Sequence, residues 1–529
     1  MSQPLPVAVV ASALAAGVRE FVICAGARNA ALISVLAALA DKVKLWQHFD
    51  ERAAGFFALG RILATGQPVA VVTTSGTAAA ELLPAVIEAH YQSLPLLAVT
   101  ADRPSAFRGT GAPQAIEQKN LFGVYAACDD VEFAAPALPV GKWSGPRHLN
   151  VCLVEPDSTS FAALQEAAAP LEVLPQSPAP SALAEFPAAS PDASILTLAG
   201  ACQPSQPPGA MALECLQAGG LVSAEAASGL HQFPEISGRL LRCGDASLRH
   251  LPLRLVVRTG GVPACRFWRD LEKRADLPVH ISPHPAFPGL ARNDWQPFAG
   301  CLPAAISEAG TIPAEYYLAK DAALHARLLD LLRRFPESEP ALVWRLSQAI
   351  PRGATVFTGN SMPVREWNLC ADHHRAHRVH VLRGANGIDG NLSTFSGIAA
   401  DAREAWCLTG DLTALYDLNA PWMLRQLPQG RRRFVVMQNA GGKIFSRLPS
   451  LKALTPHERS LMENPHEISL RPWAEMWGMD HVRGGAAMLR DPRLNDSLAD
   501  HAVIELYPDP MHTEAFWTAW AAAEQEVWS

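Results

Sequence analysis

The chain has 529 residues, enough for about three domains with sizeable cores. Hydrophobic residues make up 49% of it and charged residues 18%, which is typical of a globular protein rather than of a disordered chain. The formal net charge of −7 gives no overall electrostatic reason to expect a nucleic acid partner.

The compartment is predicted from the cysteines and from the apolar segments. The ten cysteines include no Cys-x-x-Cys pair, which argues against a zinc site and against a secreted disulfide framework. The apolar stretch from Leu5 to Val18 lacks the basic residues of a signal peptide and is predicted to be a first helix. No uninterrupted apolar run of about twenty residues is present, so a membrane span is not expected. We therefore expect a cytoplasmic protein.

Helix-like and strand-like segments alternate along residues 1–170, which predicts an open parallel sheet flanked by helices. The predicted helices are Val7–Ala16, Ala30–Leu39 and Ala78–Ala89, and the predicted strands are Phe21–Cys24, Pro68–Thr73 and Leu94–Thr100. The turn Thr74-Ser75-Gly76-Thr77 joins a strand to a helix. Such a turn can hold anionic or polar cofactor atoms, and it can equally be a plain helix cap.

Three α/β domains are predicted, with open, mainly parallel sheets. An N-terminal domain over residues 1–175 is followed by a Pro-, Ala- and Ser-rich linker over 176–194. A central domain over 195–335 has strand-like runs but no GxGxxG motif and no P-loop, and a C-terminal domain covers 336–529. The later predicted elements are the strands Ile195–Leu198, Leu221–Ala224, Leu253–Val257, Thr355–Thr358 and Ala502–Leu506, and the helices Ala341–Ala349 and Thr513–Glu526.

Two strand-like runs in the C-terminal domain each end in a polar loop that begins with an oxygen ligand. Asp411 follows the first run and Asn439 follows the second. In an α/β domain both loops are expected at the carboxyl ends of parallel strands, where such folds bind ligands. A carboxylate, an amide oxygen and the backbone carbonyl of Gly441 suit Mg²⁺ when phosphate oxygens complete its shell. The alternative is that both loops are ordinary turns.

This span resembles the thiamine-diphosphate motif, in which Gly-Asp-Gly is followed by Asn-Asn after some two dozen residues. Leu412 stands for the third glycine and Gln438 for the first asparagine. The resemblance implies a Mg²⁺ ion, with Mn²⁺ possible, held by Asp411, Asn439 and Gly441. It also implies cofactor contacts from Ser75, Gly76, Ile388, Gly410, Leu412 and Ile444.

Glu51 opens a helical segment that follows Asp50. If these residues have only a structural role, both carboxylates stabilise the start of the helix by interacting with the positive end of its dipole. In thiamine-diphosphate enzymes a glutamate at the corresponding position hydrogen-bonds the aminopyrimidine ring and promotes loss of the thiazolium proton. By this resemblance Glu51 is the catalytic residue.

Further motifs narrow the resemblance to the 2-succinyl-5-enolpyruvyl-6-hydroxy-3-cyclohexene-1-carboxylate synthase family of menaquinone biosynthesis. They are Gly26–Ala30, Thr74–Ala78, Thr100–Pro104, Gly359–Arg365 and Arg383–Gly390. The family decarboxylates 2-oxoglutarate on thiamine diphosphate and adds the succinyl carbanion equivalent to isochorismate. Both small-molecule substrates are dianions, for which arginines are suitable partners. The substrate-binding positions implied are Arg28, Arg103, Gln114, Arg266, Ser361, Arg365, Arg383, Phe445 and Leu448.

Several substitutions distinguish this chain from the family pattern. Ala25, Ala27 and Ala31 replace Pro, Ser and Pro, Pro113 replaces Asn, and Cys265 replaces Lys. They raise the question of which acceptor substrate is used. Two alternatives therefore stay open: another thiamine-diphosphate 2-oxo-acid decarboxylase or carboligase with a different acceptor, and a noncatalytic thiamine-fold binding protein. The resemblance also implies a homodimer or homotetramer with active sites between subunits.

Overall fold

The computed structural model describes residues 3–133, 136, 138–139, 143–155, 160–173, 191–282, 287–303, 306, 308, 310–451 and 453–529. The chain forms two compact units. The first comprises Met1–Pro180, Gly384–Asp401 and Asp417–Pro428, and the second comprises Ser181–Arg383, Ala402–Tyr416 and Gln429–Ser529. The predicted linker lies mostly outside the described residues, and its last residues, from Asp192 onwards, belong to a strand.

The first unit contains one six-stranded sheet, with the spatial order β2-β1-β3-β4-β6-β5. Its strands are β1 (Glu20–Ile23), β2 (Lys44–Gln47), β3 (Val69–Thr73), β4 (Leu96–Asp102), β5 (Ala127–Val131) and β6 (Arg147–Cys152). The helices of this unit are Leu5–Ala15, Ala30–Ala37, Glu51–Thr65, Thr77–Ala80, Leu83–Gln92, Ser160–Ala168 and Asn391–Ile398. Fully buried aliphatic side chains such as Val35, Leu97 and Leu149 pack between the sheet and its helices.

The second unit contains two six-stranded sheets. The middle sheet has the order β12-β11-β10-β7-β8-β9, with β7 (Asp192–Ala199), β8 (Gly220–Ala224), β9 (Leu240–Leu241), β10 (Leu255–Thr259), β11 (Val279–Ile281) and β12 (Gln296–Pro297). The third sheet has the order β14-β13-β15-β16-β18-β17, with β13 (Thr355–Thr358), β14 (Arg378–His380), β15 (Glu404–Gly410), β16 (Arg431–Met437), β17 (Asp480–Gly484) and β18 (His501–Leu506). The helices of this unit are Pro208–Ala218, Asp245–Leu248, Arg266–Asp270, Glu315–Arg334, Glu339–Ala349, Met362–Cys370, Asp411–Tyr416, Pro456–Glu463, Arg471–Met476, Ala486–Leu489 and Pro510–Trp528.

Neighbouring strands run parallel in all three sheets over the described residues. Numbered within its own sheet, the first sheet and the third sheet share the order 2-1-3-4-6-5. The middle sheet has the order 3-2-1-4-5-6, which is the doubly wound arrangement. The predicted α/β fold class with mainly parallel sheets is therefore confirmed.

Most predicted elements appear with ends shifted by a few residues, but the single helix predicted over Ala78–Ala89 is wrong. The structure has two helices there, Thr77–Ala80 and Leu83–Gln92. Pro84 lies in the first turn of the second helix. Because proline lacks an N–H group and its ring would clash with the carbonyl of Ala80, one continuous helix cannot pass through it.

In the first unit, two helices approach so closely that glycine is required at their crossing. An added Cβ on Gly60 would lie 2.0 Å from the carbonyl oxygen of Thr394, and one on Gly397 would lie 2.2 Å from that of Phe57. The helix Glu51–Thr65 is thereby held against Asn391–Ile398, and Glu51 lies in its first turn.

None of the described helices is long and apolar enough to cross a bilayer.

Candidate active site

Asp411 and the loop containing Asn439 lie at the same edge of the third sheet. Gly410 at the end of β15 pairs with Met437 at the end of β16, so the residues that follow leave the sheet side by side. Asp411 is 2% exposed; its Oδ1 accepts a hydrogen bond from the Leu412 amide at 2.7 Å and its Oδ2 from the Gly441 amide at 3.0 Å. The expectation that the two loops meet at the carboxyl ends of parallel strands agrees with this geometry.

The two polar atoms of the Asn439 side chain differ in their hydrogen bonding. Its Nδ2 donates to both carboxylate oxygens of Glu339, at 3.2 and 3.1 Å. Its Oδ1 is buried and accepts no hydrogen bond from the described residues. A buried oxygen of this kind ordinarily has a partner, and here a cation can be that partner.

The loop after β16 depends on Gly441. This residue has φ +122°, and an added Cβ would lie 2.4 Å from the carbonyl oxygen of Glu463. The Gly442 amide donates to that same carbonyl at 2.7 Å. Only glycine combines this backbone conformation with so close an approach. The donor set of Asp411, Asn439 and the Gly441 backbone therefore fits a small hard cation.

Gln438, the substitution for the first asparagine of the motif, has a structural role. Its backbone amide continues the ladder to Leu506 at 2.8 Å, and its Nε2 donates to the carbonyl of Ile468 at 3.0 Å. The side chain is 7% exposed and supports the neighbouring loop. Leu412, the other substitution, is half-buried, and its backbone amide donates a hydrogen bond to Asp411 Oδ1.

A second group of predicted residues follows β13 in the same unit. Ser361 has φ +74°, an uncommon conformation for a residue with a side chain, and it precedes the helix Met362–Cys370. One guanidinium nitrogen of Arg365 donates to the Ser361 carbonyl at 2.5 Å, and Arg383 donates to the Oδ1 of Asn360 at 3.2 Å. Burial, with the positive charges of Arg383 and Arg269, lowers the pKa of Arg365. An anion in this region would relieve the repulsion between these arginines.

A cleft of about 1690 Å³ within the second unit brings several predicted residues together. Its lining includes Arg266, Arg269, Arg365, Arg447, Ile444 and Leu448. Arg266 is exposed and pairs with Asp270 at 2.8 Å. Phe445 is half-buried and lies against Gly442, where an added Cβ would be 3.1 Å from its ring. The cleft thus has both cationic and apolar walls.

In the first unit, Glu51 is the first residue of its helix. The Asp50 side chain caps that helix by accepting from the Ala53 amide at 2.9 Å, and Asn419 donates to the other Asp50 oxygen at 2.7 Å. Burial raises the pKa of Glu51, and the negative charges of Asp50 and Glu81 add to that rise. A partly buried carboxyl group of raised pKa holds a proton more readily than an exposed one.

The predicted turn at Ser75 and Gly76 contacts the loop of Gln114. Ser75 is buried, and Gly76 has φ +84° with an added Cβ only 3.3 Å from the Gln114 Cα atom. Gln114 itself has φ +56° and is exposed. Two predicted binding residues, Gln114 and Ser361, therefore have left-handed backbone conformations, which are enriched at functional sites.

The remaining predicted residues of the first unit are Arg28, Arg103 and Ile388. Arg28 is 7% exposed, and its guanidinium contacts the Glu155 carboxylate at 2.8 Å and the Leu153 carbonyl at 3.2 Å. Arg103 donates to the Pro113 carbonyl at 3.0 Å. Ile388 is half-buried.

Four residues near these sites have no signal in the sequence motifs. His466 Nε2 lies 3.5 Å from Asp411 Oδ2, and Gln118 accepts from the Gly76 amide at 3.1 Å. Glu225 lines the cleft, and burial raises its pKa while the charges of Arg383 and Arg365 only partly oppose that rise. Burial likewise raises the pKa of Glu339, and the hydrogen bonds from Asn439 oppose that rise.

The chain is similar in sequence to known proteins over nearly its whole length. Residues 7–121 match the family model described as "Thiamine pyrophosphate enzyme, N-terminal TPP binding domain". A relative from Akkermansia muciniphila is 42% identical over 94% of this chain and 95% of its own length. Relatives from Bdellovibrio bacteriovorus (38% identical, 95% of each chain) and Chloroflexus aurantiacus (33% identical, 89% of this chain and 87% of the relative) are similar over comparable spans.

The fold, the paired loops and the matched domain define a thiamine pyrophosphate enzyme. All three relatives are named 2-succinyl-5-enolpyruvyl-6-hydroxy-3-cyclohexene-1-carboxylate synthase, and the chain belongs to that family.

Proposed function

We propose that this chain decarboxylates 2-oxoglutarate and adds the resulting succinyl unit to isochorismate, giving 2-succinyl-5-enolpyruvyl-6-hydroxy-3-cyclohexene-1-carboxylate for menaquinone biosynthesis. The observation that carries the proposal is the buried Oδ1 of Asn439, which accepts no hydrogen bond from the described residues and lies in the loop whose Gly441 amide donates to Asp411. The same unit contains a cleft with arginine walls. The first feature suits a cation that binds a diphosphate, and the second suits substrates with two carboxylates. Family membership over nearly the whole chain supports the same reaction.

The cofactor in this proposal is thiamine diphosphate with Mg²⁺, which Mn²⁺ can replace. Asp411, Asn439 and the Gly441 carbonyl would hold the cation. Thiamine diphosphate, when bound, supplies the electron sink for decarboxylation of a 2-oxo acid. The other residues proposed to contact it are Ser75, Gly76, Ile388, Gly410, Leu412 and Ile444.

Glu51 is proposed as the residue that exchanges a proton with the aminopyrimidine ring. Its raised pKa supports this role, because a group that both accepts and returns a proton works best when its pKa is close to the working pH. The helix cap at Asp50 fixes the start of its helix, and the close approach at Gly60 holds that helix against Asn391–Ile398.

The substrate carboxylates are proposed to bind arginines, with neighbouring polar and apolar groups setting their orientation. The set is Arg28, Arg103, Gln114, Arg266, Ser361, Arg365, Arg383, Phe445 and Leu448. Arg365 and Arg266 line one cleft, which supports their joint use. Ala27, Pro113 and Cys265 each lack a polar group that the family pattern has, so the assay below measures the use of the acceptor separately from CO₂ release.

The proposal includes a homodimer or homotetramer with active sites completed between subunits, acting in the cytoplasm. The support for the assembly is the resemblance to the family, in which the first domain of one subunit faces the last domain of another.

Single-turnover assays of the protein loaded with thiamine diphosphate and Mg²⁺ test the reaction. With 2-oxoglutarate and isochorismate together, we expect CO₂ release and an equal amount of the adduct, measured by mass spectrometry. Pyruvate in place of 2-oxoglutarate is the control, because it lacks the distal carboxylate that the arginines would bind. CO₂ release without the adduct would point to a carboligase with another acceptor. Cofactor binding without CO₂ release would point to a noncatalytic binding protein.

A further inference from the structure

We propose that Glu339 is a positioning residue that fixes the amide of Asn439 so that its Oδ1 faces the cation. This inference rests on the proposed metal site and extends it to a residue a hundred positions earlier in the chain. Both residues belong to the second unit, and both carboxylate oxygens of Glu339 accept from Asn439 Nδ2, at 3.2 and 3.1 Å.

In its carboxylate form, Glu339 favours one orientation of the Asn439 amide. An asparagine side chain has a donor end and an acceptor end, whereas a carboxylate only accepts. Turning the Asn439 amide over would bring its Oδ1 against the Glu339 oxygens and lose both hydrogen bonds. The observed orientation leaves Oδ1 buried and without a hydrogen bond from the described residues. A cation ligand needs that arrangement, since only the oxygen can coordinate Mg²⁺.

Glu339 is itself held in place. It is the first residue of the helix Glu339–Ala349 and is 5% exposed. Its backbone amide donates to Thr513 Oγ1 at 3.1 Å, and Thr513 donates to the Asp509 carbonyl at 2.8 Å. The Ser338 hydroxyl caps the same helix by accepting from the Ala341 amide at 3.3 Å. A carboxylate anchored in this way can hold another side chain in one rotamer.

Glu366 offers a matched comparison within the same unit. It is 1% exposed, and neither of its carboxylate oxygens has a hydrogen-bond partner among the described residues. Burial raises its pKa, as it does for Glu339, and the two carboxyl groups influence each other. Glu366 therefore shares the burial and the side-chain type of Glu339 but not its hydrogen bonds to Asn439.

The test measures the dissociation constant of Mn²⁺ by electron paramagnetic resonance, in the presence of thiamine diphosphate. Glu339→Met removes the acceptor at similar length, and we expect Mn²⁺ to bind about 10- to 100-fold more weakly, as is typical when a residue that orients a metal ligand is lost. Glu339→Gln keeps one acceptor oxygen but adds an NH₂ group that can donate to a turned Asn439 amide, so we expect it to bind Mn²⁺ more weakly than wild type and more tightly than Glu339→Met. Glu366→Gln is expected to bind Mn²⁺ like wild type. Thermal unfolding of each variant checks that it is folded.

Three results would overturn the proposal. They are wild-type affinity in Glu339→Met, an equal loss in Glu339→Gln and Glu339→Met, and an equal loss in Glu366→Gln and Glu339→Met. The second would mean that an acceptor oxygen at this position does not orient the Asn439 amide. The third would mean that the effect does not depend on the hydrogen bonds to Asn439, which Glu366 lacks. If Glu339→Met does not fold, Glu339→Ala removes the same acceptor and is measured instead. Wild-type Mn²⁺ affinity in Asp411→Ala would contradict the metal site itself, whatever Glu339 does.

Discussion

Replacing Asp411 by alanine is expected to abolish the metal-dependent binding of thiamine diphosphate. Asp411 is buried, and it is the one carboxylate in the proposed ligand set. Its Oδ2 also accepts from the Gly441 amide at 3.0 Å, so the substitution would release the loop that carries the other two ligands. Loss of a residue that only supports a metal ligand weakens metal binding by about 10- to 100-fold. We expect Asp411→Ala to lose more affinity than that, because it removes a ligand.

Isothermal titration with thiamine diphosphate, in the presence and absence of Mg²⁺, measures this effect. Asp496→Ala is a suitable control, because Asp496 is in the same unit but its side chain is 73% exposed and pairs with Arg431. The control should bind the cofactor like wild type. Wild-type affinity in Asp411→Ala would refute its assignment as a ligand.

Replacing Glu51 by glutamine is expected to leave cofactor binding largely intact and to slow exchange of the cofactor C2 proton by about 10²- to 10⁴-fold, the usual contribution of a positioned acid or base. Glutamine has nearly the same shape as glutamate but cannot take up and return a proton. Burial raises the pKa of Glu51, which suits that role.

NMR of the loaded enzyme measures the C2 exchange rate. Glu81→Gln is the matched control: Glu81 is an exposed carboxylate in the same unit whose charge contributes to the raised pKa of Glu51. We expect the control to retain fast exchange. An unchanged exchange rate in Glu51→Gln would remove Glu51 from the mechanism.

The position of the metal loops could be predicted from the sequence because it depends on a general rule of α/β sheets. Asp411 and Asn439 each follow a buried apolar run, and parallel strands place the residues after such runs at one edge. Gly410 and Met437 pair at the ends of β15 and β16, so the residues that follow them leave the sheet side by side. The order of the strands depends on connections between distant segments and had no local signal. The repeated order 2-1-3-4-6-5 in the first and third sheets was therefore not predictable in this way.

The residues that support the site were harder to predict. Glu339 meets Asn439 across a hundred residues of sequence, and nothing near either of them indicates the contact. The left-handed backbones of Gln114 and Ser361 depend on their surroundings, because neither is a glycine. The break between Thr77–Ala80 and Leu83–Gln92 is different, since Pro84 is present in the sequence and by itself indicates that one helix cannot run through it.

A crystal structure of the protein with thiamine diphosphate and Mn²⁺, recorded at a wavelength that gives Mn²⁺ anomalous signal, tests the central claim most directly. That claim is that the loops after β15 and β16 together bind the cation that holds the diphosphate. We predict one anomalous peak within coordination distance of an Asp411 carboxylate oxygen, Asn439 Oδ1 and the Gly441 carbonyl oxygen, with diphosphate oxygens completing the shell. A cation bound elsewhere, or one coordinated without Asp411 and Asn439, would contradict it.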